Sequence, residues 1–132
     1  MTPNNAIDIR EFAIKYTAAW CSRDAASVAA FFSPEGALRD NDGPVLTGRN
    51  AITESVQSFM TAFPDLKLFL DDIVQTNDSI LYTWILEGTH HITGRRVRIT
   101  GSEKWRLGED GLIAESIGSF DAAEYQKQVG QL

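Results

Sequence analysis

The chain has 132 residues, of which 43% are hydrophobic and 10% aromatic, so it is long enough to bury a real core as one domain. A formal net charge of −6 argues against nucleic acids and anionic membranes as partners, because both attract clustered basic surface. No apolar run approaches the roughly 20 residues of a membrane-spanning helix. We therefore expect a single domain over residues 1–132 that has neither nucleic acid nor membrane as a partner.

Cysteine usage and the N-terminus both favour a cytoplasmic location. Cys21 is the only cysteine, which rules out an intrachain disulfide and fits a reducing compartment. Residues 1–10 contain no basic leader followed by an apolar stretch. His and Cys side chains do not cluster at metal-ligand spacing, so we expect no metal and no cofactor.

Helical periodicity dominates the first half of the chain. Apolar side chains at spacings of three and four predict an opening helix over residues 9–20. A short second helix after Arg23-Asp24 is predicted to carry Phe31 and Phe32 and to end at Ser33-Pro34. Residues 36–46 follow as a short extended, turn-rich segment. A third helix after Gly48 has an apolar stripe formed by Ile52, Val56, Phe59, Met60 and Phe63.

The second half alternates with period two, as strands do. It predicts four long antiparallel strands in a meander, which begins at Leu66 and ends at Phe120. In the first of them, Asp72 shares a face with Leu66, Leu68 and Leu70. A short final helix begins at Asp121, which suits an N-cap.

This order of elements predicts an α+β fold. Three N-terminal helices pack on a strongly curved, antiparallel or mixed sheet to form a conical barrel, and a short C-terminal helix follows. A bent sheet around a long helix leaves a cavity that is open at one end. The large aromatic side chains available to wall it are Trp20, Phe32, Phe59, Phe63, Tyr82, Trp84 and Trp105.

Three polar residues stand where apolar ones are expected. Strand alternation places Glu103 on the same face as Ile99, Trp105 and Leu107, away from the basic and hydroxyl-bearing residues of the other face. A buried carboxyl is expensive unless it is paired, protonated or functional. Tyr16 and Asp40 are the other two such residues.

Several local motifs in this order resemble the SnoaL-like branch of the nuclear-transport-factor-2-like superfamily, which includes polyketide cyclases and lies close to ketosteroid isomerases. The resemblance covers nearly the whole chain. It rests on Tyr16-Thr-Ala-Ala-Trp20, Arg23-Asp24, Ala30-Phe-Phe-Ser-Pro34, Leu38-Arg-Asp40, Leu46-Thr-Gly48, Ala51-Ile52, Phe63-Pro-Asp-Leu66, Gly88-Thr-His90, Trp105-Arg-Leu107, Asp110-Gly-Leu-Ile-Ala-Glu115 and Phe120-Asp121.

The isomerase resemblance implies roles for the three polar residues. Tyr16 matches the tyrosine of the oxyanion hole and Asp40 matches the base. Glu103 occupies the place of a protonated aspartic acid and departs from it by one methylene. In ketosteroid isomerases an apolar site keeps that carboxylic acid neutral at pH 7, so that it donates a hydrogen bond.

The cyclase resemblance implies a different acid. Asp121 is the nearest match to the late carboxylate that serves as acid and base in an aldol closure, and His90 resembles a pocket-lining position. Each residue also has an ordinary interpretation. Tyr16 is then a core tyrosine, Asp40 a turn residue and Glu103 the partner of an Arg or Lys, while His90 is structural and Asp121 is a helix cap.

Two hypotheses follow from these alternatives. The first is a cofactor-free isomerase or cyclase acting on a small hydrophobic carbonyl compound. The second is a non-catalytic ligand-binding or dimerisation module, with Glu103 ion-paired and the cavity filled by side chains. A homodimer through the outer face of the sheet is expected. The candidate catalytic residues are Tyr16, Asp40, Glu103 and Asp121, and the candidate substrate-binding residues are Trp20, Phe59, Trp84, His90 and Trp105.

Overall fold

Short acidic side chains mark the starts of three helices. The computed structural model describes residues 8–130 and contains α1 (Ile9–Cys21), α2 (Ala25–Ala29), α3 (Arg49–Ala62) and α4 (Ala122–Val129). Asp8, Asp24 and Asp121 each accept a hydrogen bond from a backbone N–H of the first turn that follows. These N–H groups have no partner inside the helix, so the caps fix where the helices begin. The expectation of no leader rests partly on residues 1–7, which lie outside the described residues.

The strands form one mixed sheet. They are β1 (Phe32–Asp40), β2 (Leu46–Thr47), β3 (Lys67–Gln75), β4 (Ile80–Thr89), β5 (Arg96–Leu107) and β6 (Ile113–Phe120). Their spatial order is β2-β1-β6-β5-β4-β3. The predicted antiparallel meander from β3 to β6 is confirmed, and β1 joins it by parallel pairing with β6. The helices and the sheet form the predicted cone-like α+β fold.

An aromatic cluster joins α1 to the sheet. The ring of Tyr16 lies 5.1 Å from that of Trp105 and 5.5 Å from that of Tyr82, both nearly edge to face. Tyr82 and Trp105 are stacked at 4.9 Å across the paired strands β4 and β5. All three side chains are buried. This packing fixes the height of α1 above the sheet and therefore the depth of the cavity beneath it.

The second helix is shorter than predicted. It ends at Ala29, and Phe32 opens β1 instead of closing the helix. The physical reason is pairing with the sheet before Pro34 is reached: the carbonyl of Phe31 accepts a 2.9 Å hydrogen bond from Ile113 N. Pro34 lies where the register of β1 against β6 shifts, a position that tolerates a missing N–H.

A bulge in β3 overturns the predicted placement of Asp72. The register against β4 shifts between Leu70 and Asp72, so one extra residue occupies β3 at this point. Beyond the bulge the alternation is inverted: Ile73 pairs with the buried Tyr82, and Asp72 is exposed. Sequence alternation alone does not reveal such an insertion, because a single bulge residue reverses every later assignment.

Cys21 ties the end of α1 to the exposed edge of the sheet. Its Sγ donates to the carbonyl of Leu68 and accepts from the N–H of the same residue, both at 3.3 Å. The thiol therefore contacts edge strand β3 from an exposed position, rather than filling the core. Among residues 8–130, no helix combines the length and apolar character needed to cross a bilayer.

Candidate active site

A glycine separates two carboxyl-bearing residues on the inner face of the sheet. Gly118 of β6 pairs with Glu103 of β5 on one side and with Asp40 of β1 on the other. Adjacent strands lie about 4.8 Å apart, so the two acids stand two strands apart with no side chain between them. A Cβ at residue 118 would collide with Asp40 Oδ1. Gly118 is therefore what allows the Asp40 carboxyl to lie over the sheet.

The residue after Asp40 anchors the end of β1 to β6. Asn41 follows with φ of 53°, a left-handed conformation that asparagine adopts readily. Its side-chain oxygen accepts the N–H of Phe120 at 3.0 Å, and its own N–H donates to the carbonyl of Gly118 at 2.9 Å. This turn fastens Asp40 to β6. The turn thus begins at Asn41, and Asp40, which one interpretation made a turn residue, closes the strand.

Glu103 is held by three donors from three elements. Its Oε1 accepts from Trp105 Nε1 at 2.8 Å, Ser116 Oγ at 2.9 Å and the Tyr16 hydroxyl at 3.0 Å. Its Oε2 is 3.2 Å from the same Tyr16 hydroxyl. The carboxyl is buried, and within residues 8–130 no Lys or Arg forms an ion pair with it. The expectation of an ion-paired Glu103 is therefore wrong.

Burial dominates the electrostatics of this site. It raises the pKa of Glu103 from an ordinary 4.5 to about 7, and Asp40 adds to the rise. The hydrogen bonds from Trp105, Ser116 and Tyr16 oppose that rise. Burial likewise raises the pKa of Asp40. The pKa of Tyr16 is raised well above its usual range by burial first and by the nearby Glu103 second, so Tyr16 keeps its proton at neutral pH.

An apolar cavity opens beside these groups. It has a volume of about 50 Å³, which corresponds to roughly four water molecules. Its polar side chains are Tyr16, Asp40, Ser55 and Glu103. The aromatic part of the wall consists of Trp20, Phe32, Phe59, Trp84, Phe120 and Tyr125.

Two indole N–H groups of the cavity wall have no hydrogen-bond partner within residues 8–130. Trp20 Nε1 and Trp84 Nε1 are both buried and unpaired, although buried donors in proteins are normally satisfied. The Trp20 N–H is near enough to the Tyr16 hydroxyl to favour its ionised form, but the two groups do not reach hydrogen-bond geometry. Trp84 owes its position to Gly101, because a Cβ there would collide with the indole ring.

The structure places two of the expected substrate-binding residues away from the cavity. Trp105 lies behind Glu103, stacked on Tyr82, so it acts on the acid rather than lining the wall. His90 follows the end of β4 at Thr89 and is buried against Phe63, with ring centroids 5.4 Å apart. Its Nδ1 accepts the backbone N–H groups of the turn at 3.2 and 3.4 Å. These contacts match the structural interpretation of His90.

Asp121 is found at the N-terminus of α4. Its Oδ1 accepts the N–H of Glu124 at 3.0 Å, and its side chain is not part of the cavity lining. The structure therefore brings together Tyr16, Asp40 and Glu103, with Trp20, Phe59 and Trp84 around them, and leaves Asp121 outside this group.

Sequence reasoning missed several residues that matter to the geometry. Ser116 is fully buried and lies on the inner face of β6, so strand parity alone would have indicated a second polar residue beside Glu103. Gly118 has the same parity, but its role depends on a parallel pairing that the sequence does not indicate. Ser55 and Tyr125 reach the cavity from α3 and α4.

Within the described part of the chain, neither an arginine paired with Glu103 nor a cluster of metal ligands is found. Arg98 is exposed on the outer face of β5 and pairs with Glu87 at 3.2 Å, so the strand parity that separated it from Glu103 is confirmed. Across residues 8–130, no group of three or more His, Cys, Asp and Glu side chains converges as metal ligands would.

Solved structures share this architecture at low sequence identity. A protein with a ketosteroid-isomerase-like fold from Catenulispora acidiphila, in complex with trimethylamine, has a TM-score of 0.83 at 15% identity over 92% of this chain and 94% of that one. TsrD from Streptomyces laurentii has a TM-score of 0.81 at 23% identity, over 96% of this chain and 100% of its own.

A third similar structure is that of an epoxide hydrolase/cyclase-like enzyme. The epoxide hydrolase/cyclase-like enzyme SalBIII, described in pyran ring formation in the polyether salinomycin, has a TM-score of 0.78 at 17% identity over 94% and 97% of the two chains. At such identities the likeness demonstrates the fold alone. No curated protein matches the sequence. The SnoaL-like domain model matches residues 13–116, which is most of the chain, and this protein therefore belongs to the SnoaL-like domain family.

Proposed function

We propose that the protein is a cofactor-free acid/base enzyme that isomerises or cyclises a small hydrophobic carbonyl compound. The observation that carries the proposal is that the carboxyls of Asp40 and Glu103 lie on either side of Gly118 and line the same apolar cavity. The carboxyl of Glu103 is also hydrogen-bonded to the Tyr16 hydroxyl. Neither acid has a Lys or Arg ion pair within residues 8–130. Paired acids with environmentally shifted pKa values are typical of proton-transfer sites.

In the proposed reaction Asp40 is the base. Its carboxylate takes a proton from the carbon beside the substrate carbonyl, the C–H electron pair becomes the new C=C bond, and the carbonyl oxygen takes the negative charge. Tyr16 stabilises this enolate oxygen by donating a hydrogen bond, and neutral Glu103 supports it by donating its own proton to the Tyr16 hydroxyl. Because burial raises the pKa of Asp40, the residue is a stronger base than an exposed aspartate.

The enolate can then react in two ways, and in each the proton held by Asp40 is returned to the product. If Asp40 returns the proton to a different carbon, the double bond moves and the product is an isomer. If the enolate carbon attacks a second carbonyl of the same molecule, a ring closes and the proton on Asp40 neutralises the new alkoxide. The family includes polyketide cyclases and lies close to isomerases, and the site contains the groups for either outcome.

The cavity suggests the size and polarity of the substrate. A volume of about 50 Å³ is well below the roughly 150 Å³ of a cavity that binds benzene, so even a compact ring requires Trp20, Phe59 or Tyr125 to move aside. The unpaired N–H groups of Trp20 and Trp84 favour a substrate with acceptor oxygens, since a bound acceptor would satisfy donors that otherwise carry a desolvation penalty.

Catalysed exchange of protons α to a carbonyl tests this proposal without knowledge of the natural substrate. Cyclopentanone in D₂O is incubated with the protein, and loss of its α-proton signals is followed by NMR. We expect exchange above the buffer rate, and Asp40→Asn is expected to lower the enzyme-dependent rate roughly 100-fold or more. Asp42→Asn, which changes an exposed neighbour that forms a 3.9 Å pair with Arg39, is the matched control. Equal exchange by the wild type and Asp40→Asn would contradict the proposal.

A second candidate is a ligand-binding module without chemistry. It is favoured by the hydrogen bond between Tyr16 and Glu103, which satisfies both side chains internally, and by the small cavity. In that case cyclopentanone perturbs the signals of the cavity residues and its α-protons exchange at the buffer rate.

The outer face of the sheet supports the expected homodimer. Val74, Leu81 and Ile117 are 46%, 41% and 43% exposed on β3, β4 and β6. The strand registers place them in one row, with Lys104 of β5 between the last two. Exposed apolar residues grouped on one face favour an interaction site there, although Lys104 interrupts this row, and a twofold dimer sets one such face against its copy.

A further inference from the structure

Two buried donors beside Glu103 have no task in the proposed reaction. Ser116 Oγ and Trp105 Nε1 lie 2.9 and 2.8 Å from the same carboxyl oxygen, Oε1. Both side chains are fully buried, at 0% exposure. They come from different strands, β6 and β5, whose register sets Ser116 opposite Trp105. Two rigid elements therefore direct their donors at one oxygen of one acid.

The two oxygens of Glu103 are consequently unlike. Within residues 8–130, Oε1 accepts from Ser116, Trp105 and Tyr16, while the one hydrogen-bond partner of Oε2 is the Tyr16 hydroxyl, at 3.2 Å. A carboxyl oxygen that carries a proton keeps less capacity to accept, and an indole N–H can only donate. Protonation of Oε1 would therefore break a buried hydrogen bond, whereas protonation of Oε2 breaks none of those to Ser116 or Trp105.

We infer that Ser116 and Trp105 are positioning residues that confine the Glu103 proton to Oε2, the oxygen to which neither of them donates. In the neutral acid, Oε2–H donates to Tyr16 Oη, and the hydrogen of Tyr16 is released for an acceptor in the cavity. In the ionised acid, Tyr16 donates to the carboxylate and that hydrogen is no longer available. Glu103 and Tyr16 thus present a donor to the cavity only while they hold two protons between them.

The charged and titratable surroundings of Glu103 are limited. Tyr16 approaches from α1, Tyr82 from β4 and Asp40 from β1. The pKa values of both tyrosines are raised, chiefly by burial, so they remain neutral while Glu103 titrates. Asp40, whose pKa is also raised by burial, is the acidic group whose charge acts on Glu103. This role matters to catalysis only if the proposed function holds, whereas the protonation of Glu103 is measured without any substrate.

Titration of Glu103 followed by ¹³C NMR of a carboxyl-labelled protein tests the inference. Ser116→Ala removes one donor from Oε1, and the charged form loses more by this than the neutral form. We expect the Glu103 midpoint to rise by about one pH unit. Ser119→Ala, on the exposed face of the same strand, should leave the midpoint unchanged. An unchanged midpoint in folded Ser116→Ala would overturn the assignment.

Infrared spectroscopy locates the proton in the wild type and needs no variant. At acid pH the C=O stretch of neutral Glu103, identified by its ¹³C shift, is expected at the low frequency of a carbonyl oxygen that accepts two or more hydrogen bonds. A band at the higher frequency of a carbonyl that accepts one hydrogen bond or none would place the proton on Oε1 and overturn the inference. Loss of α-proton exchange with these spectra intact would instead count against the proposed function alone.

Discussion

At the scale of single residues, Glu103 couples stability to pH. The folded state holds its proton more tightly than the unfolded chain does, because burial raises its pKa from 4.5 to about 7. Stability from this group is therefore fully present below pH 4.5 and is lost as the pH rises through about 7, with a total of about 3 kcal/mol.

Glu103→Gln is expected to remove this loss of folding stability at rising pH. The amide keeps an acceptor for Ser116 and Trp105 and a donor for Tyr16, but it carries no charge at any pH. The free energy of unfolding, measured by urea denaturation from pH 4 to 8, should fall with pH in the wild type and much less in the variant. Glu109→Gln in an exposed turn serves as control. A wild-type curve parallel to that of Glu103→Gln would show that folding does not raise the pKa of Glu103.

Strand alternation predicts correctly which face of the sheet only some of the side chains occupy. It placed Glu103 on the buried face correctly, because alternation holds along the whole of β5. It failed for Asp72, where a bulge reverses the alternation. It also could not reveal Gly118 between the two acids, since that contact depends on which strands are neighbours and not on the pattern within one strand.

At the scale of elements, α4 closes the cavity wall with Tyr125 and depends on the Asp121 cap. We expect Asp121→Ala to lower the free energy of unfolding by about 1 kcal/mol, because it leaves the N–H of Glu124 without a partner. Asp121→Asn retains a capping oxygen and should preserve both stability and α-proton exchange. Loss of exchange in a stable Asp121→Asn protein would instead assign Asp121 to the chemistry, as the cyclase resemblance implied.

Element boundaries were predictable where local signals agree. The caps at Asp24 and Asp121 and the turns after β3, β4 and β5 are all encoded by neighbouring residues. The end of α2 was not, because its apolar residues Phe31 and Phe32 continue the helical stripe. Their strand pairing with β6 is a contact across some 80 residues of chain, and such tertiary pairing overrides local propensity.

At the scale of the whole molecule, the apolar row on the outer sheet face predicts a dimer. Leu81→Lys places a charge between Val74 and Ile117 and beside Lys104, so a twofold interface there would bring like charges together. Sedimentation velocity should show a dimer for the wild type and a monomer for this variant. Ile92→Lys changes an apolar residue that is 65% exposed in a turn outside the row, and it should remain dimeric. A monomeric wild type would contradict the prediction.

We expect the cavity to stabilise an enolate oxygen beside Tyr16 and Glu103. The most direct test is a crystal structure of the protein with phenol, whose ring and oxygen imitate a small enolate. We expect the phenol oxygen within about 3 Å of Tyr16 Oη or Glu103 Oε2, with its ring beneath the Asp40 carboxyl. A phenol bound away from these three residues, or a cavity that stays closed at saturating phenol, would contradict the account.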